Sequence, residues 1–142
     1  MHVFASVILV DERGWLLLQE RDERPAIAPD CWSLVGGHVD EGEDPDDAAY
    51  RELAEETGLR LEPPTLRPWR AFPVVHPAYG TDDLIRVYAA ATTATDADIV
   101  LGEGRQIVFV EPAALPALRV GEAASLILPE FLASDRYQEL LR

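Results

Sequence analysis

The stretch that decides the reading of this chain runs from Gly37 to Leu59, GHVDEGEDPDDAAYRELAEETGL. Asp44 offers an N-cap, Pro45 takes the first helical position, and Asp46 and Asp47 fall in the first turn, where the macrodipole favours negative charge. Gly58 suits the left-handed position just past a helix end, so the pattern predicts a helix from Pro45 to about Thr57. Capping accounts for the early acids but not for Glu52, Glu55 and Glu56 in the last turns. There the macrodipole is negative, and each exposed carboxylate costs about 0.3–1 kcal/mol. Glu52 and Glu56 lie one turn apart and Glu55 three residues from Glu52. Like charges at such spacings cost about 0.2–0.5 kcal/mol per pair.

Something must compensate them. Arg51 can pair with Glu55 at i+4, which leaves two acids unaccounted for. A divalent cation is the natural remedy: oxygen-only ligands select Mg²⁺ or Mn²⁺ over Zn²⁺, and the helix holds no His or Cys. Mg²⁺ takes a few carboxylates and completes its octahedron with water and substrate phosphate. A calcium loop beginning at Asp40 would need Gly at its sixth position and Glu at its twelfth, where the chain has Pro45 and Arg51. Residues 40–56 hold nine of the 26 acids, and Arg51 alone offsets them. A charge run is ordinarily a solvated helix face, but an even spread would put only about three acids there.

Upstream, Val3 to Val10 is apolar on both alternations, the pattern of a strand buried on both faces, and Asp11 to Gly14 supplies a turn into Trp15 to Glu20. These two form a hairpin candidate. Arg21 to Asp30, with Pro25 and Pro29, reads as a loop, and Trp32 to Val35 as a short strand ending at Gly36 and Gly37. Downstream, Trp69 to Val75 and Leu84 to Ala91 read as strands around a loop at 76–80, followed by a loop from about Thr92 to Gly104. Gln106 to Val110 is a further strand and Pro112 to Leu115 a turn of helix. A helix from Glu122 to Leu128 is ended or restarted by Pro129, and a short helix spans Asp135 to Leu141. Strands interleaved with helices imply an α/β fold whose mixed sheet is covered on both faces.

At 142 residues and 48% apolar content, residues 1–142 read as one domain with one core. A formal charge of -14 repels polyanions, which argues against a nucleic-acid polymer or an anionic membrane as partner. The apolar runs fall far below the roughly 20 residues of a membrane span. The start reads as a strand and not as a secretion signal, and one cysteine, Cys31, forbids an internal disulfide. These features predict a cytoplasmic protein.

The decisive stretch resembles the signature of the Nudix family, G-x5-E-x7-R-E-U-x-E-E-x-G-U with U aliphatic. Gly37, Glu43, Arg51, Glu52, Leu53, Glu55, Glu56, Gly58 and Leu59 match at every fixed position. The resemblance implies a strand-loop-helix-loop catalytic unit in an α/β/α sandwich that hydrolyses nucleoside diphosphates linked to another moiety. It implies Glu52 and Glu56 as central metal ligands, with Glu55 as a further ligand or the base that activates water. The carbonyl of Gly37 resembles the one the family uses on the metal, and Arg51 and Glu43 the pair that orients the loop against the helix. Glu103 resembles an additional acid brought from a later loop. Homodimers are common in the family.

An acidic protein binds a pyrophosphate through cations that bridge carboxylate and phosphate, so Mg²⁺, with Mn²⁺ as substitute, reconciles the charge with the substrate. Arg21 is a candidate phosphate contact, although surface pairing with Asp22, Glu23 or Asp30 serves it equally well. Tyr79 is a candidate base contact from a cluster that includes Trp69, Phe72 and His76. Trp15 and Trp32 read as core, Cys31 as a small buried residue, and His38 as a variable position. The favoured substrate is a (d)NTP or an oxidised (d)NTP, and next a nucleotide sugar or ADP-ribose. The alternatives are a nucleotide sensor without turnover and an isoprenoid diphosphate isomerase.

Overall fold

A computed structural model describes residues 2–23, 30–76 and 81–142. Six strands, β1 (Val3–Val10), β2 (Leu16–Glu20), β3 (Trp32–His38), β4 (Arg67–His76), β5 (Thr81–Ala91) and β6 (Gln106–Val110), form one sheet. Its order is β4-β5-β1-β3-β2-β6. β1 runs parallel to β5, and the other neighbouring pairs are antiparallel.

β1 shows why the sheet is covered on both sides. Ala5, Val7 and Leu9 face one layer with Ala48, Ala49 and Leu53 of α1 (Pro45–Thr57). Ile8 and Val10 face the other layer with Ala124, Ile127, Leu128 and Phe131 of α2 (Glu122–Leu132). Tyr137 and Leu140 of α3 (Asp135–Leu140) pack against that second layer. The result is the expected α/β/α sandwich with a mixed sheet.

The helix α1 begins and ends where its caps predict. Asp44 accepts from the amide of Asp46, Pro45 opens the first turn, and Gly58 takes the left-handed conformation at φ 75°. Three other expectations are corrected. The turn after β1 forms, with the Asp11 amide bonded to the Trp15 carbonyl, but β1 and β2 pair only at Val10 and Leu16. β3 inserts between them and takes the ladder, which joins the glycine segment to the central strand. β3 also does not stop at Gly36 and Gly37 but continues to His38, with both glycines paired to β1. Finally, α2 passes through Pro129 to Leu132. Pro129 and Ser125, whose carbonyl loses its bond there, are both exposed, while the apolar stripe on the opposite face holds the helix to the sheet.

β4 lies at the edge, where Pro68 and Pro73 leave no interior ladder bond unmade, and a bulge falls between Pro68 and Arg70. Phe72 is buried, and Trp69 stacks edge-on against Phe131 at 5.1 Å, so these two aromatics serve the core. Trp15 and Trp32 pack against the two layers, and Cys31 is buried.

Candidate active site

The site forms where β3 meets α1. Gly36 has φ 149°, and a Cβ there would collide with the carbonyl oxygen of Ala5 on β1. A Cβ on Gly37 would stand 2.6–2.7 Å from three carboxyl atoms of Glu52. The two glycines therefore let β3 lie flush on β1 and leave room on its other side for a carboxylate of α1.

Arg51 organises the loop and the helix. Its Nε donates to Glu43 at 2.8 Å and its Nη2 to the other Glu43 oxygen at 2.9 Å, a two-pronged pair. The same Nη2 donates to the carbonyl of His38 at 2.9 Å, tying the end of β3 to the helix. Nη1 reaches Glu52 at 3.0 Å and Glu55 at 3.2 Å. Its bonds hold the Glu43 carboxyl at about 2, helped by the amide of Asp40. The i+4 pairing with Glu55 is thus present, but it is one contact of several. The guanidinium also serves Glu52, so of Glu52, Glu55 and Glu56 the acid left without an ion pair among the described residues is Glu56.

Glu56 is 4% exposed and accepts from the amide of Gly36 at 3.3 Å. Burial first, and then the charge of Glu52, push its carboxyl up to about 8. Burial also raises Glu52, against the pull of Arg51. The charge of Glu103 adds to the rise of both, which puts that exposed loop acid within electrostatic reach of the pair. Glu55 is exposed beside them, its side chain 58% accessible.

The loop that carries Glu103 is fastened at both ends. The amides of Val100 and Gly102 donate to the carbonyls of Thr57 and Glu56, at 2.8 and 2.9 Å. A Cβ on Gly102 would strike the carbonyl oxygen of Glu55, so the loop rests directly on the last turn of α1. On the other side, the amide of Arg105 donates to the carbonyl of Glu20, and Gln19 donates to the carbonyl of Glu103. Gln19 escaped the sequence reading. Its signal was a polar residue directly after the apolar run Leu16 to Leu18, on the same face of the strand as the buried Leu17.

Arg21 exerts its charge on Glu56, and its Nε is buried without a hydrogen-bond partner among the described residues. Arg105, and not Arg21, pairs with Glu23 and Asp30. Tyr79 lies outside the described residues. His38 is exposed and stacks on Phe4 at 4.3 Å, away from the carboxylates, as a variable position would allow.

The donor set is wholly oxygen, which suits a hard divalent cation. Among the described residues, no three acidic, His or Cys side chains are placed to share a metal ion; Glu52 and Glu55 are turned to the nitrogens of Arg51 instead. The buried, unneutralised Glu56 beside Glu52, with Gly37 leaving room at the strand, fits a cation for which Arg51 would release Glu52.

A mixed sheet between helices, with an acidic helix docked on a glycine strand, defines a class of fold and site, and similarity to known proteins narrows it. The NUDIX domain profile matches residues 1–131, and the chain belongs to the Nudix family. It is 32% identical over 85 residues to the nucleoside triphosphatase NudI of Enterobacter sp. (strain 638), covering 60% of this chain and 55% of that protein. With the RNA pyrophosphohydrolase of Cereibacter sphaeroides (strain ATCC 17029 / ATH 2.4.9) it shares 39% identity over 57 residues, 40% of this chain and 33% of that one. The chain thus spans between a third and about half of the length of these relatives. Among solved structures it resembles the MutT protein of Methanosarcina mazei Go1 (TM-score 0.70, 21% identity, 97% of this chain and 93% of that one). It also resembles the NUDIX domain of Shewanella oneidensis NrtR, determined with ADP ribose (TM-score 0.74, 18% identity, 90% of this chain and 84% of that one). At these identities the structures bear on the fold alone.

Proposed function

We propose that this chain hydrolyses the pyrophosphate linkage of a nucleoside diphosphate derivative with the help of Mg²⁺ or Mn²⁺. The observation that carries the reading is Glu56, a buried carboxyl with no ion-pair partner among the described residues, set beside Glu52 on a helix packed against the Gly36–Gly37 strand. When bound, a divalent cation neutralises charge on the phosphoryl oxygens and lowers the pKa of water in the site.

The residues of the chain then divide the remaining work. Glu52 and Glu56 would hold the cation together with the carbonyl of Gly37, and Glu103 would add a carboxylate from its loop. Glu55, exposed at the rim, is either a further ligand or the base that takes the proton of the attacking water. A bond forms from that water oxygen to phosphorus, and the bridging P–O bond breaks. Arg51 and Glu43 keep the 38–43 loop against the helix, a structural part. Arg21, whose charge reaches Glu56, is retained as a phosphate contact and Tyr79 as a base contact.

The favoured substrate is a (d)NTP or oxidised (d)NTP, and next a nucleotide sugar or ADP-ribose. The similarity to a nucleoside triphosphatase supports this order. A small-molecule substrate, no nucleic-acid polymer or membrane, and a cytoplasmic setting complete the reading, and it leaves monomer and homodimer both open. The described residues contain no helix long and apolar enough to cross a membrane. The test is incubation with Mg²⁺ and a panel of nucleoside triphosphates, oxidised nucleotides, nucleotide sugars, ADP-ribose and dinucleoside polyphosphates, with Glu56→Gln as control. Monophosphate plus pyrophosphate from a triphosphate supports the favoured reading. Silence across the panel with ligand binding retained would make the protein a sensor.

A further inference from the structure

Gln19 is a polar residue that the core around it does not explain. It stands on β2, 1% exposed, on the side of the sheet that also buries Leu17 under α1. Its Nε2 donates to the carbonyl oxygen of Glu103 at 2.9 Å, and because a carbonyl only accepts, that bond fixes which end of the amide is nitrogen. The other end, Oε1, is sealed from solvent with no hydrogen-bond partner among the described residues. The loop is seated on this side chain: a Cβ on Gly104 would come within 3.1 Å of Nε2 and 3.3 Å of Cγ.

A buried amide with an unmet acceptor is a net cost to folding, and a leucine would fill the same space without it. The fold alone therefore disfavours glutamine at this position. What the amide secures is the backbone of Glu103, the acid whose charge reaches Glu52 and Glu56. The Gly102 amide ties the preceding residue to α1, and the Arg105 amide ties the loop to β2 two residues later. Gln19 provides the contact at residue 103 itself.

We propose that Gln19 is a positioning residue that holds Glu103 against the Glu52 and Glu56 pair, so that Glu103 adds a ligand to a divalent cation bound there. The proposal rests on the reading of Glu52 and Glu56 as that cation's site.

The test uses the full chain and Mn²⁺ alone, with free ion followed by electron paramagnetic resonance, beside thermal melts without metal. Gln19→Leu is expected to melt at or above the temperature of the unchanged protein yet to bind Mn²⁺ about 10–100-fold more weakly, the usual effect of removing a group that orients a ligand. Glu103→Gln should lose affinity in the same range, and the double variant should bind no more weakly than Glu103→Gln. Gln19→Met, which keeps the length of the side chain and removes the donor, repeats the measurement should the leucine fail to fold. Unchanged Mn²⁺ affinity in a folded Gln19 variant would overturn the proposal. So would an equal further loss in the Glu103→Gln background, or a fall in metal-free melting temperature that accompanies the weaker binding. If the unchanged protein binds no Mn²⁺, the cation site itself fails. If it binds, and Glu56→Gln does not, an unaffected Gln19 variant sinks this proposal alone.

Discussion

The amide of Gly36 donates to Oε2 of Glu56 at 3.3 Å, the one hydrogen bond that this buried carboxylate makes among the described residues. That single bond does not offset burial, and the carboxyl is pushed up to about 8 from an ordinary 4.5. In the unfolded chain the group ionises near the ordinary value, whereas the folded chain keeps the proton until about 8. The folded state therefore binds more protons in that window, and stability falls as pH rises through it. Metal-free protein should lose on the order of a few kcal/mol between pH 5 and 8, or on the order of 10 °C in melting temperature. Glu56→Gln, or saturating Mg²⁺, should flatten that limb. A metal-free melting curve that is independent of pH over this range would contradict the burial of an unneutralised acid.

Glu43 behaves in the opposite sense. Its carboxyl lies at about 2 because Arg51 grips both oxygens, so the stability it contributes is present above about 4.5 and is lost as pH falls toward 2. Thermal melts of Glu43→Gln should show a shallower acid limb than the unchanged protein. Arg51→Lys is not conservative here, since an ammonium cannot serve Glu43 through two nitrogens while reaching the His38 carbonyl and Glu52. We expect it to melt several degrees lower at neutral pH and to turn over more slowly.

The glycines of the site should separate under mutation. Gly36→Ala drives a Cβ into the backbone of β1 and should cost about 3 kcal/mol or more, enough to impair folding. Gly42 sits at φ 80° with nothing within 4 Å of a Cβ, so Gly42→Ala should cost about 1–2 kcal/mol of left-handed strain and leave catalysis intact. Gly37 has no positive φ, and its clash is with the movable end of Glu52. Gly37→Ala should therefore fold and lose turnover. Urea midpoints and kcat measured on the three variants check the pattern, and a Gly37→Ala variant with full activity would break it.

The limits of α1 were legible because Asp44, Pro45 and Gly58 act locally, through caps and backbone conformation that depend on adjacent residues. The carboxylates were legible for the same kind of reason, since helical spacing turns sequence distance into spatial distance. What was not legible is contact between distant segments. Gly36 and Gly37 read as a stop, whereas they permit the close approach of β3 to Ala5 and Glu52. Insertion of β3 between β1 and β2 leaves no mark in either strand's alternation. Arg51 read as a partner of Glu55 because i+4 is visible along a helix, while Glu43 and the His38 carbonyl reach it across a loop. Gln19 was visible only as a polar residue directly after an apolar run.

The two ends of α1 should respond differently to loss of their contacts with the sheet. At the first turn, the hydroxyl of the buried Tyr88 donates to Asp46 Oδ1 at 2.6 Å. Asp46 is exposed, so in Tyr88→Phe water replaces the lost donor and no buried group is left unmet. The cost should be about 1 kcal/mol. Glu56 lies ten residues along, roughly 15 Å at 1.5 Å per residue, and kcat should not change. Leu53, fully buried between Glu52 and the last turn, is the contact that seats the chemical end. Leu53→Ala should cost about 2–5 kcal/mol and leave a cavity beneath the carboxylates. Turnover per folded molecule should fall with it, because Glu52 and Glu56 flank that anchor along one turn. Measuring kcat on the folded fraction of both variants decides the matter: equal turnover in Leu53→Ala and Tyr88→Phe would mean that the packing of Leu53 does not set the position of the acids.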